Sequence, residues 1–287
     1  MKKSQWLTLL IGLVLTGSLY FFGRTVPAKK TVVSGPMQGP AGGMQADLHP
    51  VSTDSMLVIA KKRLNADQVT RINMLENSVT RGDLGEQQVH VYHQLARFWA
   101  DTARVFEPYA WYTGEAARLE NSEKSLTFAA QLFLESLQQE EDESFRQWKA
   151  LQAKDLFERS LKINPGNDSA RVGLGASLLF GNIAATPMEG IGKIREVVNK
   201  DSTNIYAQMT LVRGSLISGQ YDKAISRLQS VNRMKPGYLD ATLLLAEVYE
   251  QMGKNPEALE YYRKSLELTQ VPEVRKAIEE RIGQLKK

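Results

Sequence analysis

The chain repeats itself at a spacing of 34 residues near its C-terminal end, where residues 205–238 align with residues 239–272. The alignment pairs Leu211 with Leu245, Gly219 with Gly253, Ala224 with Ala258 and Leu228 with Tyr262. In each copy an apolar stripe of helical period ends at the glycine, and a second stripe after a short turn carries the alanine. The pattern predicts helical hairpins stacked in a row, because each hairpin must bury its apolar side against the next.

This pattern resembles the tetratricopeptide repeat. The matching positions are Leu211, Gly219, Tyr221, Ala224 and Pro236 in one copy and Leu245, Ala246, Tyr249, Gly253, Ala258 and Tyr262 in the next. The resemblance implies an all-α fold, a right-handed superhelix of helical hairpins that forms an α-solenoid. It also implies that protein or peptide ligands bind on the concave face, which the exposed sides of the first helices form.

Weaker copies of the repeat lie upstream. Residues 168–204 fit a third copy, with Leu174, Gly175, Leu178, Ile194 and Val197 at packing positions. A fourth copy has Phe128, Ala129, Ala130 and Phe133 in its first helix and Ala153, Phe157 and Pro165 in its second, and a fifth begins with Tyr92, Leu95, Ala96 and Trp99. We therefore predict about five hairpins over residues 89–271, with capping helices at 54–88 and 272–287.

Two helix starts can be predicted from local signals. The run Thr186-Pro187-Met188-Glu189 has the form of a capping box with proline at the first helical position. Asn65 is placed as the N-cap of a helix within the N-terminal capping region. The apolar stripe of that helix is Val69, Ile72, Leu75 and Val79.

Residues 1–30 predict a transmembrane anchor. The run from Trp6 to Phe22 carries no charge and has aromatic residues at both ends, and at 1.5 Å per residue it spans roughly 25 Å. Residues 31–53 are rich in glycine and proline and predict a flexible linker. We expect a single-pass inner (cytoplasmic) membrane protein with a periplasmic repeat domain. The alternative is cleavage after Ala28, within Val26-Pro27-Ala28, which would release a soluble periplasmic protein.

The distribution of charge argues against a nucleic-acid partner. Residues 1–30 hold five basic side chains and no acidic one, so the remaining residues carry 31 basic and 32 acidic side chains. The basic character is therefore concentrated at the two ends of the apolar run. The chain has no cysteine, which excludes thiolate nucleophiles, disulfides and cysteine-ligated zinc.

No pattern in the sequence indicates catalysis, a cofactor or a metal. His90 and His93 lie three residues apart on a predicted helix, but no third ligand follows at a helical spacing. The stretch Gly173-Leu174-Gly175 lacks the third glycine and the preceding strand of a phosphate-binding loop, so we interpret its glycines as packing residues. We expect no catalytic, cofactor-binding or metal-binding residues, and a protein that is not an enzyme.

The family resemblance places a partner-binding groove on the first helices of the last three hairpins. Its residues would be Val172, Ala176, Phe180, Tyr206, Met209, Arg213, Ile217, Asp240, Leu243, Glu247 and Gln251. An amphipathic helix or an extended peptide would suit such a groove. The alternative is that the protein's own N-terminal helices fill part of it.

A cluster of aromatic residues upstream admits two interpretations. Its members are Phe98, Trp99, Phe106, Tyr109, Trp111 and Tyr112. They could pack the core of the weaker hairpins or form a second surface for a partner.

From these features we expect a membrane-anchored scaffold or adaptor that binds partner proteins in the assembly of bacterial envelope complexes. The alternative is a structural envelope protein that acts by self-association. Affinity capture separates the two, because an adaptor recovers distinct stoichiometric partners and a self-associating protein recovers higher-order species of itself.

Overall fold

A computed structural model describes residues 50–79, 85–184 and 186–286. The predicted anchor at residues 6–22, the cleavage site at Ala28 and residues 31–49 of the linker lie outside the described residues. Within the described ranges, no helix combines the length and the apolar character that crossing a membrane requires.

Every regular element in the described residues is helical, as the repeat pattern predicts. The α-helices are α1 Thr53–Lys61, α2 Ala66–Val79, α3 Gly85–Arg97, α4 Phe106–Glu120, α5 Glu123–Leu137, α6 Glu143–Ile163, α7 Asp168–Phe180, α8 Pro187–Lys200, α9 Ile205–Ile217, α10 Tyr221–Met234, α11 Leu239–Gln251, α12 Asn255–Leu268 and α13 Pro272–Leu285. A π-helical segment, Phe98–Ala103, continues α3. The chain then turns at Arg104, whose backbone is left-handed with a φ of 56°.

Consecutive helices pack as antiparallel hairpins that stack on one another. The pairs are α3 with α4, α5 with α6, α7 with α8, α9 with α10 and α11 with α12. The helix α13 packs on α12 at one end, while α2 packs on α3 and α1 on α4 at the other. The main contacts of the two N-terminal helices are therefore with the first hairpin, and not with α7, α9 or α11.

The repeated glycines end the first helices of the last two hairpins. Gly219 and Gly253 have φ values of 69° and 70°, a region that side chains with a Cβ rarely adopt. The turns carry matching hydrogen bonds, from Gln220 N to Ser215 O at 2.8 Å and from Lys254 N to Tyr249 O at 2.9 Å. The two glycines, which are 34 residues apart, therefore end their helices with the same backbone geometry.

The predicted helix starts have different outcomes. Asn65 is confirmed as an N-cap, because its side chain accepts from Gln68 N at 2.9 Å while Gln68 accepts from Asn65 N at 3.0 Å. Ile72 of the predicted stripe is fully buried, whereas the side chain of Val79 lies outside the described residues. Pro187 does begin α8, but the exposed Thr186 side chain makes no capping hydrogen bond. The predicted start of the helix is therefore confirmed, but the predicted capping hydrogen bond from the Thr186 side chain is wrong.

Small residues on α7 let two neighbouring helices, α6 and α8, approach it closely. A Cβ added to Gly173 would lie 2.2 Å from the Phe157 ring of α6, and one added to Gly175 would lie 2.6 Å from the Gly190 carbonyl of α8. These contacts confirm the interpretation of Gly173 and Gly175 as packing residues. As a result α7 is buried over most of its length, from Val172 to Leu178.

Candidate partner-binding groove

Three residues of the predicted groove are buried in the hydrophobic core. Val172 packs among side chains of α8 and α9, while Ala176 and Met209 belong to two other core clusters. The prediction that they line an accessible surface is therefore corrected. For Val172 and Ala176 the physical reason is the small-residue face of α7, which lets neighbouring helices pack closely. Met209 lies on α9 and is buried in the core that this helix shares with α10 and α11.

Arg213 of the predicted groove is bonded to the residue that follows α5. Arg213 Nη1 donates a hydrogen bond to Gln138 Oε1 at 3.2 Å, which joins positions 75 residues apart. Tyr206 is partly buried, and burial raises the pKa of its hydroxyl. The hydrogen bond between Arg213 and Gln138 joins hairpins that are not adjacent in the stack, although hairpins in a solenoid ordinarily touch only their neighbours.

The remaining predicted residues vary widely in accessibility. Ile217 is 76% exposed, and Asp240 and Gln251 are also exposed. Phe180 is partly buried against the core of the second hairpin, and Leu243 against the core beneath α13. Glu247 is partly buried as well. The eleven predicted residues therefore do not form one continuous accessible face, and binding by the exposed ones stays a prediction.

An open groove lies instead between α3, α4 and α5, in the first two hairpins. Its volume is about 600 Å³. It is lined by His93, Ala96, Arg97, Ala100, Asp101, Tyr109, Thr113, Ala117, Glu120, Lys124, Ser125 and Phe128. The first helices α3 and α5 supply part of its lining, and the second helix α4 supplies Tyr109, Thr113, Ala117 and Glu120.

The groove has a floor of small residues between two aromatic rings. Ala96 and Ala100 come from α3 and its π-helical continuation, and Ala117 comes from α4. Phe128 is 56% exposed on α5, and Tyr109 is partly buried on α4. An exposed phenylalanine beside a small-residue floor suits a large apolar side chain from a partner, because both surfaces leave water on contact.

A hydrogen bond between two lining residues joins α3 to α4 beside the groove. His93 Nε2 lies 2.6 Å from Glu120 Oε1, which joins α3 to the end of α4. Burial raises the pKa of the Glu120 carboxyl, but hydrogen bonds from Ser125 and His93 outweigh burial and hold that pKa below its usual value. This pairing gives His93 a structural contact, and no group of side chains suited to a metal ion occurs among the described residues.

Three charged groups on the groove remain available to a partner. Arg97, Lys124 and Asp101 are exposed, and no ion pair involves them within the ranges that the structure describes. Burial, followed by the nearby charge of Asp101, raises the pKa of the Tyr109 hydroxyl, which therefore stays protonated. The groove can thus form hydrogen bonds and ion pairs around an apolar centre.

The structure divides the aromatic cluster between the core and the groove. Phe98, Trp99 and Tyr112 are buried, with Phe106 and Trp111 partly buried against core clusters. Tyr109 lines the groove. Sequence reasoning used Phe128 only as a mark of a first helix. The available signal was its position, since the buried residues of α5 begin at Leu126, Ala129 and Ala130 and leave Phe128 on another side of the helix.

A match to a known family covers the last part of the chain. The tetratricopeptide-repeat family model matches residues 215–280, which include most of one 34-residue copy and the whole of the next. No curated protein sequence matches the chain.

The chain is similar to several solved structures at low sequence identity. A tetratricopeptide repeat protein from Parabacteroides merdae ATCC 43184 is 13% identical, with a TM-score of 0.52 over 81% of this chain and 86% of its own. A thermophilic repeat protein from Thermus thermophilus is 14% identical, with a TM-score of 0.49 over 69% of this chain and 98% of its own. MamA from Desulfovibrio magneticus RS-1 is 19% identical, with a TM-score of 0.44 over 65% of this chain and 96% of its own.

The first of these three likenesses extends the fold beyond the family match, to most of the described helices. At such identities it carries information on the fold alone. The described residues form an all-helical solenoid of the tetratricopeptide-repeat type, and residues 215–280 carry the match to the family itself.

Proposed function

We propose that this protein is a scaffold or adaptor that binds a segment of a partner protein in the groove between α3, α4 and α5. The observation that carries the proposal is the exposed Phe128 ring beside an alanine floor in an open groove of about 600 Å³. Apolar contact supplies affinity, and the charges of Arg97, Lys124 and Asp101 select and orient the segment. The exposed residues Ile217, Asp240 and Gln251 form a secondary candidate surface.

The groove proposal predicts that Phe128→Asp reduces partner capture at least tenfold, because a charge on the apolar wall must lose water when a partner binds. The measurement is crosslinking in intact cells, followed by capture and quantitative mass spectrometry. Met188→Asp is the matched control, since Met188 is 58% exposed on α8 and lies outside the groove. Equal partner recovery by the Phe128→Asp variant and the wild-type protein would contradict this site. Recovery of only the bait, in higher-order species, would favour self-association.

We further propose that residues 6–22 hold the scaffold in the inner membrane, with the repeat domain in the periplasm and a role in envelope complex assembly. The uncharged run with aromatic ends supports the anchor. The protein is expected to stay in the membrane fraction through alkaline washing, and a variant lacking residues 6–22 is expected to appear in the soluble fraction. A mature N-terminus at Lys29, found by mass spectrometry, would establish the alternative of cleavage after Ala28. Protease protection in spheroplasts tests sidedness.

A further inference from the structure

A second groove lies beside the groove between α3, α4 and α5 and shares part of its lining. It is lined by residues of α2, α3 and the π-helical segment, and its volume is about 450 Å³. Arg71 and Leu75 line it from α2. Arg97 and Asp101 line both grooves, so these two residues form the boundary between them. A partner segment that crosses this boundary can contact both grooves at once.

The boundary includes an uncommon backbone conformation. Helix α3 ends at Arg97, and the π-helical segment Phe98–Ala103 follows it. Turns of π-helix are rare, and they occur frequently at functional sites. Phe98 and Trp99 of this segment are buried, whereas Asp101 is exposed. The buried rings anchor the segment in the core, while Asp101 is presented to both grooves.

The exposed charges along the two grooves are mainly positive. Arg71, Arg97 and Lys124 are exposed, and their side chains make no hydrogen bond or ion pair within the described residues. The Arg71 guanidinium lies 5.9 Å from the centre of the Phe98 ring. A cation–π contact of this kind orients the guanidinium but uses none of its N–H donors. Each of the three cations can therefore bind a carboxylate from a partner.

Two carboxylates also line these grooves, and they limit the partners that fit. Glu120 is already bonded to His93 at 2.6 Å. Asp101 makes no ion pair in the part of the chain that the structure describes. A nucleic acid would bring its row of phosphates against Asp101, whereas a peptide can place a hydrogen-bond donor there and carboxylates at the cations. The charge pattern therefore favours a protein segment over a nucleic acid.

We propose that the two grooves together bind an acidic segment of a partner protein, in which acidic residues flank a large apolar side chain. The apolar side chain packs on Phe128 and the alanine floor, and the acidic residues pair with Arg71, Arg97 and Lys124. Asp101 accepts a hydrogen bond from the segment. The proposal rests on the proposed function, since it names the chemistry of the segment that binds between α3, α4 and α5.

The first test is selection from a phage library of random peptides, about 12 residues long, on the full chain in a neutral detergent. The peptides are displayed between two protein segments, so that none has a chain terminus of its own. A parallel selection on the Phe128→Asp variant identifies the peptides that require the groove. In these peptides, aspartate and glutamate are expected to be enriched about threefold over the unselected library, around phenylalanine, tryptophan or leucine. Acidic residues at the frequency of the unselected library would overturn the proposal.

The second test is charge reversal at the boundary and in the second groove. The double variant Arg71→Glu with Arg97→Glu is expected to weaken binding of a selected peptide about tenfold, because two attractions become repulsions. Fluorescence anisotropy of the labelled synthetic peptide measures this change. Arg263→Glu is the matched control, since Arg263 is exposed on α12 and lines neither groove. It is expected to bind the peptide as the wild-type protein does.

The outcomes separate this proposal from the proposed function. Loss of binding in the Phe128→Asp variant, with less than a twofold change in the charge-reversed variant, would leave the groove as a binding site and overturn the acidic segment. The absence of any peptide that depends on Phe128 would contradict both. Tighter binding of a single-stranded oligothymidylate than of every selected peptide would assign the grooves to nucleic acid and overturn the proposal.

A measurement on the wild-type protein keeps the proposal testable if the charge-reversed variant folds poorly. Raising the salt concentration from about 50 mM to about 200 mM is expected to weaken binding of the selected peptide about threefold, because salt screens exposed charges. Binding that does not change with salt would overturn the proposal without any substitution.

Discussion

Replacing Gly173 with alanine should destabilise the folded domain by about 2 kcal/mol. The new Cβ would lie 2.2 Å from one atom of the Phe157 ring and 2.6 Å from two more. Phe157 is fully buried, so its ring cannot move away without disturbing the core between α6 and α7. Alanine is favoured over glycine in a helix by about 1 kcal/mol. The expected loss of about 2 kcal/mol in stability is the net effect, after this gain has been subtracted from the cost of the collision.

Gly192→Ala is the matched control for Gly173→Ala. Both glycines lie within helices, but a Cβ at Gly192 meets nothing within 4 Å. The control is therefore expected to gain about 0.5–1 kcal/mol from helix propensity. Urea unfolding of both variants measures the difference. Equal stability of the two variants would contradict the close approach of α7 to Phe157, and Phe157→Leu should recover part of the loss in the Gly173→Ala background because it removes the colliding ring.

Replacing Lys149 with methionine is expected to cost about 3 kcal/mol of folding free energy, because two carboxylates lose their shared cation. Lys149 is 3% exposed on α6. Its Nζ lies 2.6 Å from a Glu140 oxygen and 3.2 Å from a Glu107 oxygen. Methionine fills similar space, so the expected loss reflects charge and not a cavity. Breaking a buried ion pair usually costs about 3–5 kcal/mol. We expect a value near the lower limit because Glu107 and Glu140 stay partly exposed to water.

The control for Lys149→Met is Lys154→Met on the same helix. Lys154 pairs with Glu158 four residues on, at 3.0 Å on a more exposed surface, and such pairs contribute about 0.5 kcal/mol or less. Chemical unfolding at pH 7 compares the two. The double variant Lys149→Met with Glu140→Gln should regain part of the lost stability, because it removes one unpaired charge. A Lys149→Met variant as stable as the Lys154→Met variant would contradict the proposed role of the buried cation.

Two of the acidic residues between α5 and α6 have structural contacts. Glu140 binds Lys149, and Asp142 caps α6 by accepting from Ser144 N at 2.9 Å and Phe145 N at 3.1 Å. The chain before α1 is attached to the same region through Val51 N and Ser144 O at 3.3 Å.

The helical hairpins and their spacing were predictable because the signals are local. A stripe of period 3.6 fixes which side of a helix is apolar, and glycine at 219 and 253 permits the left-handed backbone that ends the helix. Asn65 and Gln68 likewise lie within one turn of each other, so their mutual capping depends on few distant contacts. These features follow from covalent geometry and helix periodicity, which the linear order of residues specifies directly.

Accessibility, by contrast, was decided only by the tertiary structure. Val172 and Ala176 have the helical positions of groove residues, yet the close approach of neighbouring helices to α7 buries both. The bond from Arg213 to Gln138, the burial of Lys149 and the open groove beside Phe128 all depend on side chains brought together from separate hairpins. The sequence by itself determined a stack of helical hairpins, because periodicity acts within each helix. Which faces stay open depends on the distances between hairpins, which only the packed side chains set.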